Sequence, residues 1–267
     1  MKIFAIMLVK NEADIVGSVL KDAEKWADKI FILDNGSTDG TWEIIQSMSN
    51  NCITPWKQYF GAYHNGLRAE VYNNYKHLSK PGDWWCFKLD ADEFYYDNPR
   101  QMLSNLPKKD GLLAKKSLDY YLCQKDCDQA DFTGDFEKDK CFIKRLRKSC
   151  WAEPRFFKET GKIKWVSAPQ NHYPSNSGRL SKQYILVKHY QFRSPKQMQN
   201  RLDVRNSGEA KKLGLAFRHV KQTNWQELLW DENDLILDDG KKETYDSIPI
   251  RNKLKKSFFE KIIDKLK

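Results

Sequence analysis

The sequence has no apolar run long enough to cross a bilayer. Its first apolar run, Ile3–Val9, ends after seven residues, whereas a membrane-spanning helix needs about 20. No small-residue cleavage site follows this run, so we expect neither a transmembrane helix nor a signal peptide. Internal repeats and low-complexity segments are also missing, and an aromatic content of 13% is too high for a disordered tail protein. We therefore expect a soluble globular protein of the cytoplasm.

The six cysteines lack the spacing of a common zinc site. Such sites use paired CxxC motifs, whereas Cys123, Cys127, Cys141 and Cys150 are separated by three, thirteen and eight residues. Disulfides are not expected either, because we predict no secretory signal in the sequence. We predict ordinary reduced cysteines.

The formal net charge of +10 is unevenly distributed. Acidic residues slightly outnumber basic ones in residues 1–100, whereas segments 138–164 and 251–267 are strongly basic. A nucleic-acid-binding protein more often spreads its basic residues along one continuous face. The segregation indicates separate roles for the segments, and we expect no nucleic-acid partner.

Strand and helix patterns alternate in the first hundred residues. Continuous apolar runs at 3–9, 29–33 and 83–89 are typical of buried parallel strands. Apolar residues at helical spacing follow in 12–27 and 67–78. This alternation predicts an α/β fold, in which a mostly parallel sheet with right-handed crossovers is flanked by helices.

The rest of the chain has a different pattern. Ser194 and Pro195 begin a capping box, which predicts a helix start, whereas residues 231–247 are acidic and loop-like. Short β-like stretches lie among charged loops at 111–118, 155–158, 162–166 and 184–187.

We divide the chain into a domain at 1–220 and a C-terminal helical extension at 221–267. The halves of the domain are 1–100 and 101–220. In segment 251–267, apolar residues share one helical face and lysines flank it. Such a basic amphipathic helix can lie on an anionic membrane surface. The alternatives are packing on its own domain or an oligomer contact.

The strongest candidate site follows the strand predicted at 83–89. Side chains alternate along a strand, so Asp90 and Asp92 point to the same side, at the carboxyl edge where open α/β sheets bind ligands. Two carboxylates so close repel each other unless a cation lies between them. Their oxygens suit Mg²⁺ or Mn²⁺ shared with a diphosphate. The alternative is a solvated acidic turn, because a DxD sequence is common by chance.

Two further polar segments follow predicted strands. Asp34 ends the strand at 29–33 and precedes a turn-rich segment whose backbone offers hydrogen-bond donors. Its carboxylate can accept from a nucleobase N–H or a ribose hydroxyl, while Ser37 or Asp39 can cap the next helix. With the turn at 10–12, three polar loops lie on one sheet edge, which predicts a nucleotide site.

These motifs together resemble the ordered motifs of family 2 glycosyltransferases. The resemblance implies a GT-A type fold, with 1–100 as the Rossmann-like, nucleotide-sugar-binding half and 101–220 as the acceptor side. It is specific over residues 1–100 and weaker to about residue 205. The motifs that carry it are MLVKNE at 7–12, LDNGSTDGT at 33–41 and LDADEF at 89–94, followed by RFFK at 155–158, NHY at 171–173, and HY and RS at 189–190 and 193–194.

The resemblance also assigns roles to individual residues. It implies that Asp90 and Ala91 contact the ribose, and that Asp92 ligates the metal together with Asp90. Arg68 matches a basic position and is expected near the nucleotide, unless it is an exposed helix arginine. The residues implied for the nucleobase are Val9, Lys10, Asn11, Glu12, Asp34 and Asn35.

Three basic residues late in the chain are further candidates. His189 follows a strand-like run and is a candidate third ligand, for the metal or for phosphate, because imidazole suits Mn²⁺; a core or capping histidine is the alternative. Arg193 and Arg201 can neutralise a departing diphosphate, or they can form a charge pair at the helix start.

One departure from the family leaves the catalytic base open. Members that resemble this chain often carry His-Glu where it has His172 and Tyr173, and a tyrosine cannot act as a carboxylate base. Inverting transfer needs a carboxylate within hydrogen-bond reach of the acceptor hydroxyl. We favour Glu153, whose alternative is a surface partner of neighbouring arginines. The other candidates are Asp119, Asp131 and Asp135.

The combined prediction is a metal-dependent, inverting glycosyltransferase. It uses Mn²⁺ or Mg²⁺ and moves a sugar from a UDP-sugar or other nucleotide-sugar donor to a glycan or lipid-linked acceptor, in bacterial surface polysaccharide or lipopolysaccharide synthesis. Its predicted location is the cytoplasm, at the inner face of the membrane if segment 251–267 binds lipid.

Two other functions are compatible with part of the sequence. A Mg²⁺-dependent nucleotidyltransferase also uses acidic strand ends, but it favours a glycine-rich basic phosphate loop, and the first strand is followed by Lys10, Asn11 and Glu12 instead. A non-catalytic module that binds anionic surfaces or nucleic acid explains the basic charge but leaves the DxD motif without a role.

Overall fold

The computed structural model describes residues 1–252 of the 267-residue chain. Strands and helices alternate through the described residues. The strands are β1 (Ile3–Val9), β2 (Lys29–Asp34), β3 (Ile53–Gln58), β4 (Trp84–Leu89), β5 (Glu93–Tyr95), β6 (Asp110–Tyr121), β7 (Arg145–Arg147), β8 (Trp151–Lys158), β9 (Arg179–His189) and β10 (Leu235–Leu237). The helices are α1 (Val16–Ala23), α2 (Thr41–Ser47), α3 (Leu67–Tyr75), α4 (Pro99–Ser104), α5 (Gln124–Gln129), α6 (Phe136–Asp139), α7 (Pro195–Ser207), α8 (Glu209–Lys212) and α9 (Lys242–Ser247).

One mixed sheet runs through this part of the chain in the order β10-β7-β6-β8-β4-β1-β2-β3. Strands β1 to β4 pair in parallel. From β4 onward the pairs are antiparallel, except that β9 joins β6 in parallel. The predicted α/β fold is confirmed, and its architecture is consistent with the GT-A type. In the first half, helices α1, α2 and α3 supply the crossovers that parallel strands need.

The sheet is covered on both faces, as the continuous apolar runs predict. Along β1, Ala5 and Met7 pack in one core cluster with α1, while Phe4 and Ile6 pack in a second cluster with α3. Every residue of β1 is buried. A strand buried on both faces must read as a continuous apolar run rather than an alternating one.

Helix α1 is shorter than the predicted span of 12–27. The backbone carbonyl of Glu12 accepts from the amides of both Ile15 and Val16, which forms a tight turn before the helix begins at Val16. Asn11, which precedes this turn, has a positive φ of 55°. Ile15 therefore has the helical spacing of the apolar residues that follow it, but it lies before the helix begins.

Two other predictions in the second half of the chain are wrong. Residues 162–166 form no strand; a single bridge joins Lys164 to Ser175, and the indole of Trp165 donates to the Asn171 carbonyl instead. Residues 231–247 are not only loop, since they contain β10 and α9. Both elements are too short to leave a periodic signal in the sequence.

Helix α7 begins where the capping box predicts. The Ser194 hydroxyl accepts from the Gln197 amide, and Pro195 occupies the first turn. The longest helix in residues 1–252 has thirteen residues, and none there is long and apolar enough to cross a membrane. The predicted amphipathic segment 251–267 lies outside the described residues from 253 onward.

Candidate active site

A cleft of about 1250 Å³ opens at the carboxyl ends of β1, β2 and β4. The turn after β1, the DxD segment after β4 and one face of α7 line it. Its volume exceeds the range of about 300–1,000 Å³ that is usual for a single small-molecule site. The cleft has room for a nucleotide sugar and for part of a second substrate.

The loops after β1 and β2 are tied together at one end of the cleft. The Asn11 amide donates to the Ser37 hydroxyl at 2.9 Å, and the Asn11 side chain accepts from the Thr38 amide at 2.9 Å. The Glu12 amide donates to the Thr41 hydroxyl. Because these bonds fix the two loops relative to each other, the nucleobase residues predicted at 9–12 share one wall.

Asp34 and Asn35 have different positions in this wall. Asn35 lines the cleft, and its side-chain amide donates to the carbonyls of Tyr59 and Gly61. Asp34 is fully buried; one carboxylate oxygen accepts from the Ser37 amide at 2.8 Å, while Oδ2 has no hydrogen-bond partner in the described part of the chain. A buried carboxylate oxygen without a donor is costly, although Asp34 itself does not line the cleft.

Glu12 faces helix α7 rather than open solvent. Its carboxylate is ion-paired with Arg193 and lies 3.2 Å from the Arg201 guanidinium, while Arg193 also bonds Asp14 at 2.6 Å. Burial raises the pKa of Glu12 above its ordinary value despite the neighbouring Arg193. Arg193, just before α7, therefore joins the turn after β1 to the start of that helix. Arg201, within α7, lies further into the cleft.

Asp90 lies among three cations. Its Oδ2 accepts from Arg155 at 2.9 Å and lies 3.7 Å from the Lys88 ammonium, and its Oδ1 lies 3.5 Å from Arg68. Burial acts to raise the pKa of Asp90, but Lys88, Arg155 and Arg68 outweigh it and hold the pKa at about 2. Arg68 is itself only 3% exposed and donates to Tyr63. It is a cleft residue and not an exposed helix arginine.

Asp92 and His189 form a separate pair. Asp92 Oδ2 lies 3.4 Å from His189 Nε2 and 3.5 Å from Arg201. The other ring nitrogen, Nδ1, is 2.9 Å from Asp119 Oδ1. Burial acts to lower the pKa of His189, but Asp92 and Asp119 raise it to about 9. Asp119 therefore orients the imidazole toward Asp92, as a carboxylate behind a metal-ligating histidine does.

The donor set at Asp92 and His189 fits a divalent cation that keeps substrate ligands. Mg²⁺ and Mn²⁺ are commonly held by one or two protein groups together with substrate phosphates and water. Residues 1–252 contain no group of three or more His, Cys, Asp and Glu side chains arranged to hold a metal. Asp92 and His189 would therefore hold the ion with the diphosphate, whereas the Asp90 carboxylate already has three cationic neighbours.

Glu153 belongs to the same charged network as Asp90. Its carboxylate accepts from Lys88 at 3.0 and 3.1 Å and lies 3.0 Å from Arg155 and 3.5 Å from Lys115. Burial acts to raise the pKa of Glu153, but Arg155, Lys88 and Lys115 hold it well below its ordinary value. Glu153 lines the cleft and is ionised at neutral pH, as a base must be, although its low pKa weakens it as a proton acceptor.

Comparison with known proteins supports the motif assignment. Residues 4–106 match the model of glycosyl transferase family 2. The chain is also 32% identical over 108 residues to the lipopolysaccharide core biosynthesis glycosyltransferase LpsC of Rhizobium meliloti (strain 1021), a match that covers 38% of this chain and 36% of the relative. The chain thus spans about a third of the length of that curated relative.

The other candidate bases differ in their distance from the cleft. Asp119 is bonded to His189 and to the Ser117 hydroxyl. Asp131 is exposed, and Asp135 caps α6 by accepting from the Glu137 amide. Neither Asp131 nor Asp135 lines the cleft. Tyr173 packs its ring against Phe87, with the ring centres 5.9 Å apart.

One cleft residue beyond residues 4–106, Arg205, was not predicted. Arg205 lines the cleft one helical turn after Arg201, and its guanidinium carbon lies 5.2 Å from the centre of the Phe217 ring. It makes no ion pair or hydrogen bond within residues 1–252. Burial and the nearby Arg201 lower the pKa of Arg205 to about 9. The i, i+4 spacing from Arg201 is the sequence signal that could have identified it.

Proposed function

We propose that the protein is a metal-dependent, inverting glycosyltransferase. It moves a sugar from a nucleotide-sugar donor to a hydroxyl of a glycan or lipid-linked acceptor, and it acts in the synthesis of a lipopolysaccharide or another surface polysaccharide. The observation that carries the proposal is the Asp92–His189 pair, which lies in the same cleft as the family motifs of the β1 and β2 loops.

The donor lies with its nucleotide against the wall formed by the β1 and β2 loops. The Asn35 side chain meets the nucleobase or ribose at the surface of the cleft, and the buried, unpartnered Asp34 Oδ2 accepts from the ligand if the turn after β2 shifts to expose it. The diphosphate lies between Asp92 and α7, where Arg201 and the unpaired Arg205 offer guanidinium groups. Such groups are suited to phosphate because their donors form a planar fork.

The chemical step separates charge at the anomeric carbon. A bound Mn²⁺ or Mg²⁺ supplies Lewis-acid stabilisation of the departing nucleoside diphosphate. Arg201 and Arg205 add positive charge beside the diphosphate. This charge stabilises the transition state, because negative charge develops on the diphosphate as the sugar–phosphate bond breaks. Glu153 accepts the proton of the acceptor hydroxyl as that oxygen attacks the anomeric carbon on the face opposite the leaving group, which inverts the configuration.

A ligand panel read by thermal unfolding tests this proposal. UDP, GDP and ADP, and sugars of each, are tested with Mn²⁺ or with EDTA. We expect one nucleoside diphosphate to stabilise the protein only when metal is present. At about one hundred times the dissociation constant, the stabilisation is about 2.7 kcal/mol, or about 5–10 °C in Tm. Stabilisation by an oligonucleotide alone, or turnover of a nucleoside triphosphate with release of pyrophosphate, would contradict it.

We also propose that segment 251–267 attaches the enzyme to an anionic membrane surface. The support is its sequence pattern, with Phe258, Phe259 and Ile262 at helical spacing among lysines. We expect full-length protein to sediment with vesicles containing phosphatidylglycerol but not with neutral vesicles, because each basic residue near the surface contributes about 1 kcal/mol.

The matched variant ends at residue 252. This endpoint keeps Asn252, whose side chain bonds both backbone groups of Ala152 at 2.8 and 2.6 Å. We expect the shortened protein to remain folded and to lose vesicle binding. Equal sedimentation of the two proteins would remove the membrane role of the segment.

A further inference from the structure

A second cavity of about 200 Å³ adjoins the cleft. It shares four residues with the cleft: Lys115, Glu153, His189 and Gln191. At about 30 Å³ for each water, it has room for six or seven waters, which is the scale of one sugar ring. A ligand in this cavity reaches the cleft next to Glu153 and His189.

The cavity is built on one face of β6 and β8. Side chains alternate along strands, so Trp151 and Glu153 of β8 share a face, and Lys115 and Ser117 of β6 share the same one. The register pairs Lys115 with Glu153 and Ser117 with Trp151. Strand pairing therefore places the aromatic residue one step along the sheet from the carboxylate proposed as base.

Trp151 is the unusual member of this face. Its side chain is 47% exposed, whereas Trp84 and Trp85 in β4 are fully buried. The guanidinium carbon of Arg251 lies 5.9 Å from the centre of the Trp151 ring. A flat, exposed aromatic ring at the edge of a polar cavity is a suitable surface for the apolar C–H face of a pyranose.

The charges of this cavity are already paired. Lys115 is ion-paired with Glu93, Glu153 with Lys88, and Asp119 with His189. The remaining cation, Arg251, lies 3.9 Å from Asp119. Since these partners neutralise one another, the cavity favours an uncharged ligand with hydroxyl groups over an acidic one.

We propose that the second cavity binds the acceptor as an uncharged pyranose, stacked on Trp151 with one hydroxyl directed toward Glu153. Ser117, Asp119 and Gln191 supply the polar rim that recognises the other hydroxyls. This inference rests on the proposed function, because it names the class of acceptor for the same reaction.

Fluorine NMR of fluorotryptophan-labelled protein tests the site without turnover. The Trp151 resonance is assigned as the one lost in Trp151→Phe. Methyl glycosides of glucose, galactose and mannose are titrated, with methyl glucuronide as the acidic comparison. Each titration is done on the free protein and again with UDP, GDP or ADP and Mn²⁺. We expect at least one neutral glycoside to shift the Trp151 resonance in a saturable way.

Variants measure the contribution of the ring. Trp151→Ala is expected to weaken the binding of that glycoside about tenfold, and Trp151→Phe less, because an aromatic contact of this kind is worth about one factor of ten. Saturation-transfer NMR on the glycoside gives these affinities. Tyr96→Ala is the control, since Tyr96 is exposed but lies outside both cavities, and it should leave the affinity unchanged.

The outcomes separate this inference from the proposed function. No shift of Trp151 with any glycoside, with or without nucleotide and metal, would overturn the acceptor site, and so would binding of the glucuronide alone. If glycosides bind at Trp151 but no nucleotide stabilises the protein, the sugar site stands and the proposed transferase activity fails.

Discussion

Asp92→Asn is expected to lower the rate of sugar transfer about a thousandfold while leaving the fold intact. The substitution keeps the side-chain shape but removes the negative charge that faces His189 and Arg201. Without that charge the protein loses its only carboxylate ligand in the proposed metal site, and the departing diphosphate loses its main electrostatic stabilisation. The measurement is the initial rate with the donor that the ligand panel identifies, in saturating Mn²⁺.

The control for Asp92 is Asp234→Asn. Asp234 is exposed and does not line the cleft, so the same change there should leave the rate within twofold of the parent, as surface substitutions usually do. Thermal unfolding of both variants separates loss of chemistry from loss of fold. His189→Gln should reproduce the Asp92 defect, because both side chains face one site. Full activity in Asp92→Asn would exclude Asp92 as a metal ligand.

The part of the site that was predictable from sequence is the part encoded locally. A strand that ends in Leu89 and is followed by two alternating aspartates leads to the carboxyl edge of a parallel sheet, and the structure has Asp90 and Asp92 at that edge. The same alternation would also have placed Lys88 beside Asp90, since the two residues are two apart. The position of Lys88 was therefore predictable, but a lysine near a strand end is common and does not by itself indicate a role in a site.

The remaining contacts depend on pairings that are distant in the sequence. Glu153 meets Lys115 only because β6 and β8 pair in one particular register, and a shift by one residue would turn the whole polar face toward the core. His189 meets Asp92 because the short β5 pairs with the end of β9. Strands of three residues leave no periodic pattern, so local sequence reasoning could name these side chains but not bring them together.

The second large effect is expected from Arg155, which was recognised only as part of a family motif. Arg155 is fully buried and donates to Glu93 at 2.7 and 2.9 Å as well as to Asp90. Arg155→Met should lower the free energy of unfolding by about 3–5 kcal/mol, because it leaves Glu93 and Asp90 with less compensating charge in a buried site. Urea unfolding followed by tryptophan fluorescence measures this change.

A double-mutant cycle identifies the cause of that loss. If uncompensated charge is responsible, adding Glu93→Gln to Arg155→Met should recover part of the stability, because Glu93 is only 1% exposed and its charge would then be absent. If lost packing is responsible, the two changes should destabilise additively. Arg100→Met provides the comparison: its pair with Asp28 is half exposed, so about 1 kcal/mol or less is expected. A similar loss at both arginines would show that the buried network beneath Asp90 contributes no special stability.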